Sequence, residues 1–151
     1  EQTVESNERQ KHLMVEKVLS QMGSVEGKTF AVLGLSFKPN TDDMRESPSL
    51  TILSELAEKG AKFRAYDPEA MEEAAWRLEG IKEHIAFVAD EYEAMDGVDA
   101  LLLITEWNQF RNLDLDRTKE LMKSPLFFDF RNIYNRPMME KIGFTYVGVG
   151  V

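Results

Sequence analysis

The stretch VLGLSFKPNTDDMRESPSL, Val32 to Leu50, opens as a buried strand and closes on the first turn of a helix. Between the two lies a loop of about a dozen residues, carrying Lys38, Arg45, the acids Asp42, Asp43 and Glu46, and two prolines. Strand-to-helix connections in α/β units usually span about two to six residues, so this length asks for a purpose beyond joining two elements. Upstream, TFAVLGL is a short apolar, β-branched run of the kind found in a strand buried on both faces. Downstream, SPSLTILSELAEKG predicts a helix with Ser47 at the N-cap, Pro48 at the first helical position and Gly60 just past the end.

The alternation continues along the chain. Strands are expected at Lys62 to Tyr66, Ile85 to Val88, Ala100 to Thr105, Leu126 to Phe130 and Thr145 to Val149. Helices are expected at Glu69 to Leu78, Glu91 to Met95, Asp116 to Met122 and Arg136 to Ile142. Six strands separated by helices predict an α/β fold: a Rossmann-like, doubly wound, mainly parallel six-stranded sheet. One helix precedes it, with Met14, Val15, Val18, Leu19 and Met22 on one face, Ser6 or Asn7 as its cap and Gly23 as its end. No internal repeat or low-complexity segment interrupts the pattern.

Composition narrows the function. The 151 residues are 43% hydrophobic and 30% charged, which suits a packed core rather than disorder. Lys plus Arg is 18 against 27 for Asp plus Glu, a net charge of -9, and this argues against a nucleic-acid partner, whose phosphates demand many cations. There is no cysteine, so disulfides, thiolate catalysis and Cys-held metals are excluded. His12 and His84 fall in no metal-ligand spacing. No apolar run is long enough to span a membrane and no secretory signal opens the sequence, so a soluble, cytoplasmic chain is expected. Glu1 in place of Met suggests part of a longer protein.

A strand order of 3-2-1-4-5-6 would put a ligand crevice where the connections leaving strands one and four part. Leaving strand one are Ser36, Phe37 and Lys38; leaving strand four are Thr105, Glu106 and Trp107; leaving strand five are Asp129, Phe130 and Arg131. Two cations, Lys38 and Arg131, thus meet aromatic side chains on one rim, a set suited to a nucleoside diphosphate. The alternative is that both cations are plain surface residues and Trp107 plugs the sheet edge. The turn GLSFKP lacks the three glycines of a dinucleotide-binding fingerprint. Asp67, in the ribose-acid position at the end of strand two, is therefore expected to serve a turn or a helix cap.

In order along the chain, GLSFKPNTDDMRESPS, YDP, LLLITEWNQFR and FDFRNIY resemble the C-terminal UDP-binding domain of the UDP-glucose/GDP-mannose dehydrogenase family, most closely its UDP-glucose members. The resemblance implies that residues 1–23 are the end of a central dimerisation helix and 24–151 a nucleotide-sugar-binding domain. It implies two successive NAD-dependent oxidations of a sugar nucleotide, with NAD bound mainly by a separate N-terminal domain. It also implies substrate contacts from Phe37, Lys38 and Arg131, a cofactor contact from Arg45, and Asp42, Asp43 and Glu46 orienting the cations. Phe130 departs from the small residue the family often carries between its Asp and Arg. The family's catalytic cysteine, lysine and aspartate have no counterpart in this sequence, so none of its residues is expected to be catalytic. Expected partners are the UDP-sugar, the N-terminal domain and a second copy; GDP-mannose or a UDP-N-acetylhexosamine as substrate, and a non-catalytic interaction module, remain the alternatives.

Overall fold

The computed structural model describes residues 2–36, 39–45 and 47–148, with side chains described from residue 9 onward. Phe37, Lys38 and Glu46 lie outside the described residues. Six strands, β1 (Thr29–Leu33), β2 (Lys62–Tyr66), β3 (Ile85–Phe87), β4 (Ala100–Leu103), β5 (Leu126–Asp129) and β6 (Thr145–Gly148), form one sheet in the order β3-β2-β1-β4-β5-β6. Every adjacent pair is parallel. Order and strand number match the sequence expectation.

β1 and β4 are central, and all but one of their nine residues are buried. That is why their sequences read as unbroken apolar runs: Phe30 and Val32 face one core and Ala31 and Leu33 the other. The first core is roofed by α1 (Gln2–Met22), α2 (Pro48–Glu58) and α3 (Met71–Arg77). The second is covered by α4 (Glu91–Met95), α5 (Asn108–Arg111), α6 (Leu115–Leu121) and α7 (Arg136–Ile142).

Two expectations are corrected. α1 runs through Ser6 and Asn7, so neither caps its start, although Gly23 does end it at φ +78 with its N–H on the Leu19 carbonyl at 2.8 Å. The apolar run of β4 was expected to reach Thr105, but pairing stops at Leu103 because the N–H groups of Ile104 and Thr105 both turn to the Leu33 carbonyl, at 2.9 and 3.4 Å. The 3-10 segment Glu79–His84 and α5, each a single turn or two, left no periodicity to find.

α1 lays Met14, Val15 and Val18 against the core beneath α2, and His12 Nδ1 meets Glu55 Oε2 at 2.8 Å. The chain's own domain therefore covers the face that the sequence marks as apolar. Among the described residues no helix is long and apolar enough to cross a membrane.

Candidate functional site

The connections leaving β1 and β4 diverge at the carboxyl edge of the sheet, the position where doubly wound sheets bind ligands. The β1 exit is a fourteen-residue loop, residues 34 to 47. Gly34 starts it at φ +100, and a Cβ there would lie 2.5 Å from Thr105 Cβ, so glycine is needed both for the backbone and for the space. Thr105 Oγ1 donates to the Ser36 carbonyl at 2.7 Å, stitching the two exits together. At the far end of the loop Ser47 caps α2, accepting from Ser49 N at 3.3 Å, and the hydroxyls of Ser47 and Ser49 each reach the Leu35 carbonyl at 2.8 Å.

Asp67, fully buried, binds this edge together. Its Oδ2 accepts from Leu35 N at 2.7 Å, Ser36 N at 3.1 Å, Ser36 Oγ at 3.3 Å and Trp107 Nε1 at 3.3 Å. Its Oδ1 accepts from Glu69 N and Ala70 N, both at 2.8 Å. The expected turn role is thus present, and a second one accompanies it. The N–H groups of Leu35 and Ser36, the ones a pyrophosphate would need at this turn, are already taken by a carboxylate. The residues present do not fit NAD in this crevice.

The structure decides between the two readings of Trp107 and buries Phe130 as well, while Phe37 lies outside the described residues. Trp107 is 8% exposed, seated in the core beside Leu33 and Phe110, so it plugs the sheet edge instead of offering a face to a base. Phe130 is 3% exposed and packs on Phe128 with ring centroids 6.1 Å apart. An apolar run at a strand end carries no mark that separates core aromatics from ligand platforms.

The cations are held by different devices. At the end of β5, buried Asp129 accepts from Arg131 N at 3.1 Å through Oδ1, and from Ile133 N, Tyr134 N and Tyr146 Oη at 2.9, 2.9 and 2.7 Å through Oδ2. This wraps the loop into a tight turn with Asn132 at φ +54 and projects Arg131 outward. Arg131 Nη2 then donates to Glu106 Oε2 at 2.9 Å, while Glu106 Oε1 is buried with no hydrogen-bond partner. Burial pushes the Glu106 carboxyl up, but the hydrogen bond from Arg131, its own backbone N–H and the charges of Arg131 and Arg111 outweigh it and hold the group below the usual range.

Arg45 sits apart, its side chain 78% exposed and forked onto Asp43 at 3.2 and 3.3 Å. It lines a shallow cleft of about 390 Å³ with Asp42, Glu73 and Arg77. Of the acids expected to orient the cations, Asp43 does so for Arg45, Asp42 lines the same cleft, and Glu46 lies outside the described residues. Phe37 and Lys38, expected to contact substrate, also lie outside them, directly after the Asp67-held Ser36 in the sequence. The sequence places Glu106 and Asp129 at strand exits and marks no role for either; an acid two residues before an exit arginine is the available signal for Asp129.

Residues 31–136 match the UDP-glucose/GDP-mannose dehydrogenase family, UDP binding domain. This chain belongs to that family. It is 47% identical over 151 residues to a UDP-glucose 6-dehydrogenase of Rhizobium meliloti, covering 99% of this chain and 34% of the relative. It is 41% identical over 150 residues to UDP-glucose 6-dehydrogenase TuaD of Bacillus subtilis, covering 99% and 32%. Among solved structures, a UDP-glucose dehydrogenase from Pyrobaculum islandicum superimposes with a TM-score of 0.78 at 30% identity, over 96% of this chain and 30% of that one. The chain spans about a third of the length of the curated relatives it matches. Within this UDP-glucose/GDP-mannose dehydrogenase family domain, the matched span holds Asp67, Glu106, Asp129 and Arg131.

Proposed function

We propose that this chain is the nucleotide-binding domain of an NAD-dependent UDP-glucose 6-dehydrogenase, which oxidises UDP-glucose to UDP-glucuronate in two steps. Arg131 supports the reading most directly: a strand-end aspartate turns its loop so that the guanidinium projects at the crevice, in a chain 47% identical to an enzyme of that name. Residues 24–151 form the binding domain and residues 1–23 the end of a central helix through which two copies associate. Phe37 and Lys38 complete the substrate contacts, Lys38 toward the diphosphate. Arg45, exposed farther along the same long loop, reaches an NAD held by an N-terminal domain.

The domain contributes binding and orientation. Energy from the nucleotide positions a remote sugar carbon, so this domain acts on rate without touching the reacting bond. With no cysteine in the sequence, the chain by itself reduces no NAD, and an absorbance assay of the pure chain with UDP-glucose and NAD checks this. The site is tested by calorimetric titration with UDP, UDP-glucose and GDP. UDP and UDP-glucose bind, GDP binds less, and Lys38→Ala and Arg131→Ala each weaken UDP by about tenfold or more, the value of one charge-assisted hydrogen bond. Equal binding of GDP, or unchanged affinity in both variants, refutes the reading.

A further inference from the structure

Glu106 and Arg131 leave neighbouring strands and meet through one hydrogen bond. That contact uses a fraction of what either group can do. A guanidinium carries five N–H donors and no acceptor; a carboxylate carries two oxygens and no donor. Among the described residues, the Arg131 side chain has no other acceptor within hydrogen-bond distance. Among the described residues Glu106 Oε1 has no hydrogen-bond partner, and it is closed off from solvent. An unpaired buried carboxylate oxygen is costly, and native proteins seldom keep one without a purpose. The carboxylate is ionised at neutral pH, because Arg131 outweighs the cost of burial.

The unused capacity defines what fits. A phosphate offers only acceptors: it would satisfy Arg131 and be repelled by the carboxylate bonded to the same guanidinium. A group with a donor and an acceptor on adjacent atoms satisfies both, and the vicinal hydroxyls of a ribose are such a group. Rotation about the last side-chain bond of a glutamate is soft, so the carboxylate can turn one oxygen to the ligand while the other keeps Arg131. We infer that Glu106 is a further substrate-binding residue, and that with Arg131 it reads the ribose diol of the bound uridine nucleotide, not its diphosphate. The inference rests on the reading that this crevice binds a UDP-sugar.

The test compares UDP with its dideoxy form, which lacks both ribose hydroxyls, by calorimetric titration of the chain and its variants, each first checked for native far-UV circular dichroism. The native chain prefers UDP by about tenfold or more, one charge-assisted hydrogen bond's worth. Glu106→Gln keeps its oxygen on Arg131 and leaves the hydroxyl a neutral NH2 in place of a charged acceptor, and the preference falls to about threefold or less. Glu106→Asp keeps the charge but withdraws the oxygens by one methylene, and shows the same loss. A purely structural role would weaken both ligands equally and leave the ratio intact, and that result overturns the inference. So does a Glu106→Gln variant that binds both ligands more tightly at an unchanged ratio, for the carboxylate would then act only as a charge opposing the diphosphate. Failure of the native chain to bind UDP, or an Arg131→Ala variant with native UDP affinity, brings down the UDP-binding reading itself, and the inference with it.

Discussion

Two buried aspartates, Asp67 beyond β2 and Asp129 at the end of β5, gather N–H groups at the same edge of the same sheet and reach opposite results. Asp129 collects its own loop together with the Tyr146 hydroxyl of neighbouring β6, and the turn it makes presents Arg131 to solvent. Asp67 reaches out of its loop to the β1 exit and to Trp107 beyond β4, and closes the place where a dinucleotide would enter. The same carboxylate chemistry thus leaves a cation exposed on one side of the crevice and occupies backbone N–H groups on the other. What decides is where the donors lie: Asp129 adds one hydroxyl of the adjacent strand to its own loop, whereas Asp67 ties together the exits of three strands.

The sharpest way to break this comparison is to replace both acids by their amides. Asp67 accepts from N–H donors on both oxygens, so Asp67→Asn must set an NH2 against two or more of them in either orientation. Chemical denaturation is expected to show a loss of about 4 kcal/mol, since each orphaned buried donor costs about 1–3 kcal/mol. Asp129→Asn can turn its NH2 toward the single donor on Oδ1, Arg131 N, and keep the three on Oδ2. Its expected loss is smaller, about 2 kcal/mol. Equal losses would mean that the number of donors, not their arrangement, governs these sites.

Gly34→Ala tests the closed side from another direction. The new methyl meets Thr105 at a φ that L side chains avoid, and the expected cost is about 2–3 kcal/mol by thermal denaturation. Tyr134 tests the open side through pH. Burial, with the nearby Asp129 and Tyr92, raises its phenol to about 12 against the hydrogen bond from Leu113 N and the charge of Arg111. A raised folded value means a contribution fully present below the ordinary value near 10 and lost as pH climbs through about 12. Tyr134→Phe should therefore flatten the decline of stability in that alkaline window. Smallest of all, Arg45→Ala removes a solvent-exposed fork and should leave the melting temperature unchanged.

The sheet was legible because its central strands are buried on both faces and its punctuation is strong: Ser47 with Pro48 starts one helix, and Asn135 with Pro137 starts another. Asp67's turn role could be argued from the absent glycines, but its hold on Leu35, Ser36 and Trp107 is long-range and leaves no local pattern. The sequence around Trp107 fits a platform and a plug equally, and only packing separates the two. Arg131 follows from its place at a strand exit, and its substrate role from the resemblance; its tie to Glu106 spans 25 positions and joins two strands whose adjacency has to be inferred first. α1 overran its expected start because a polar N-terminal half shows no stripe to mark where it begins.

The register of the central seam sets a temporal order on all of this. Phe30 pairs with Ala100, seventy positions along the chain, whereas the pairings inside each half, β1 with β2 and β4 with β5, close over much shorter spans. Closing the longer loop costs more entropy, and topologies rich in such contacts fold slowly. The crevice lies on that seam, with Gly34 and Thr105 meeting across it. Each half can therefore gather its own strands early, but the crevice comes into existence only when the two halves find each other.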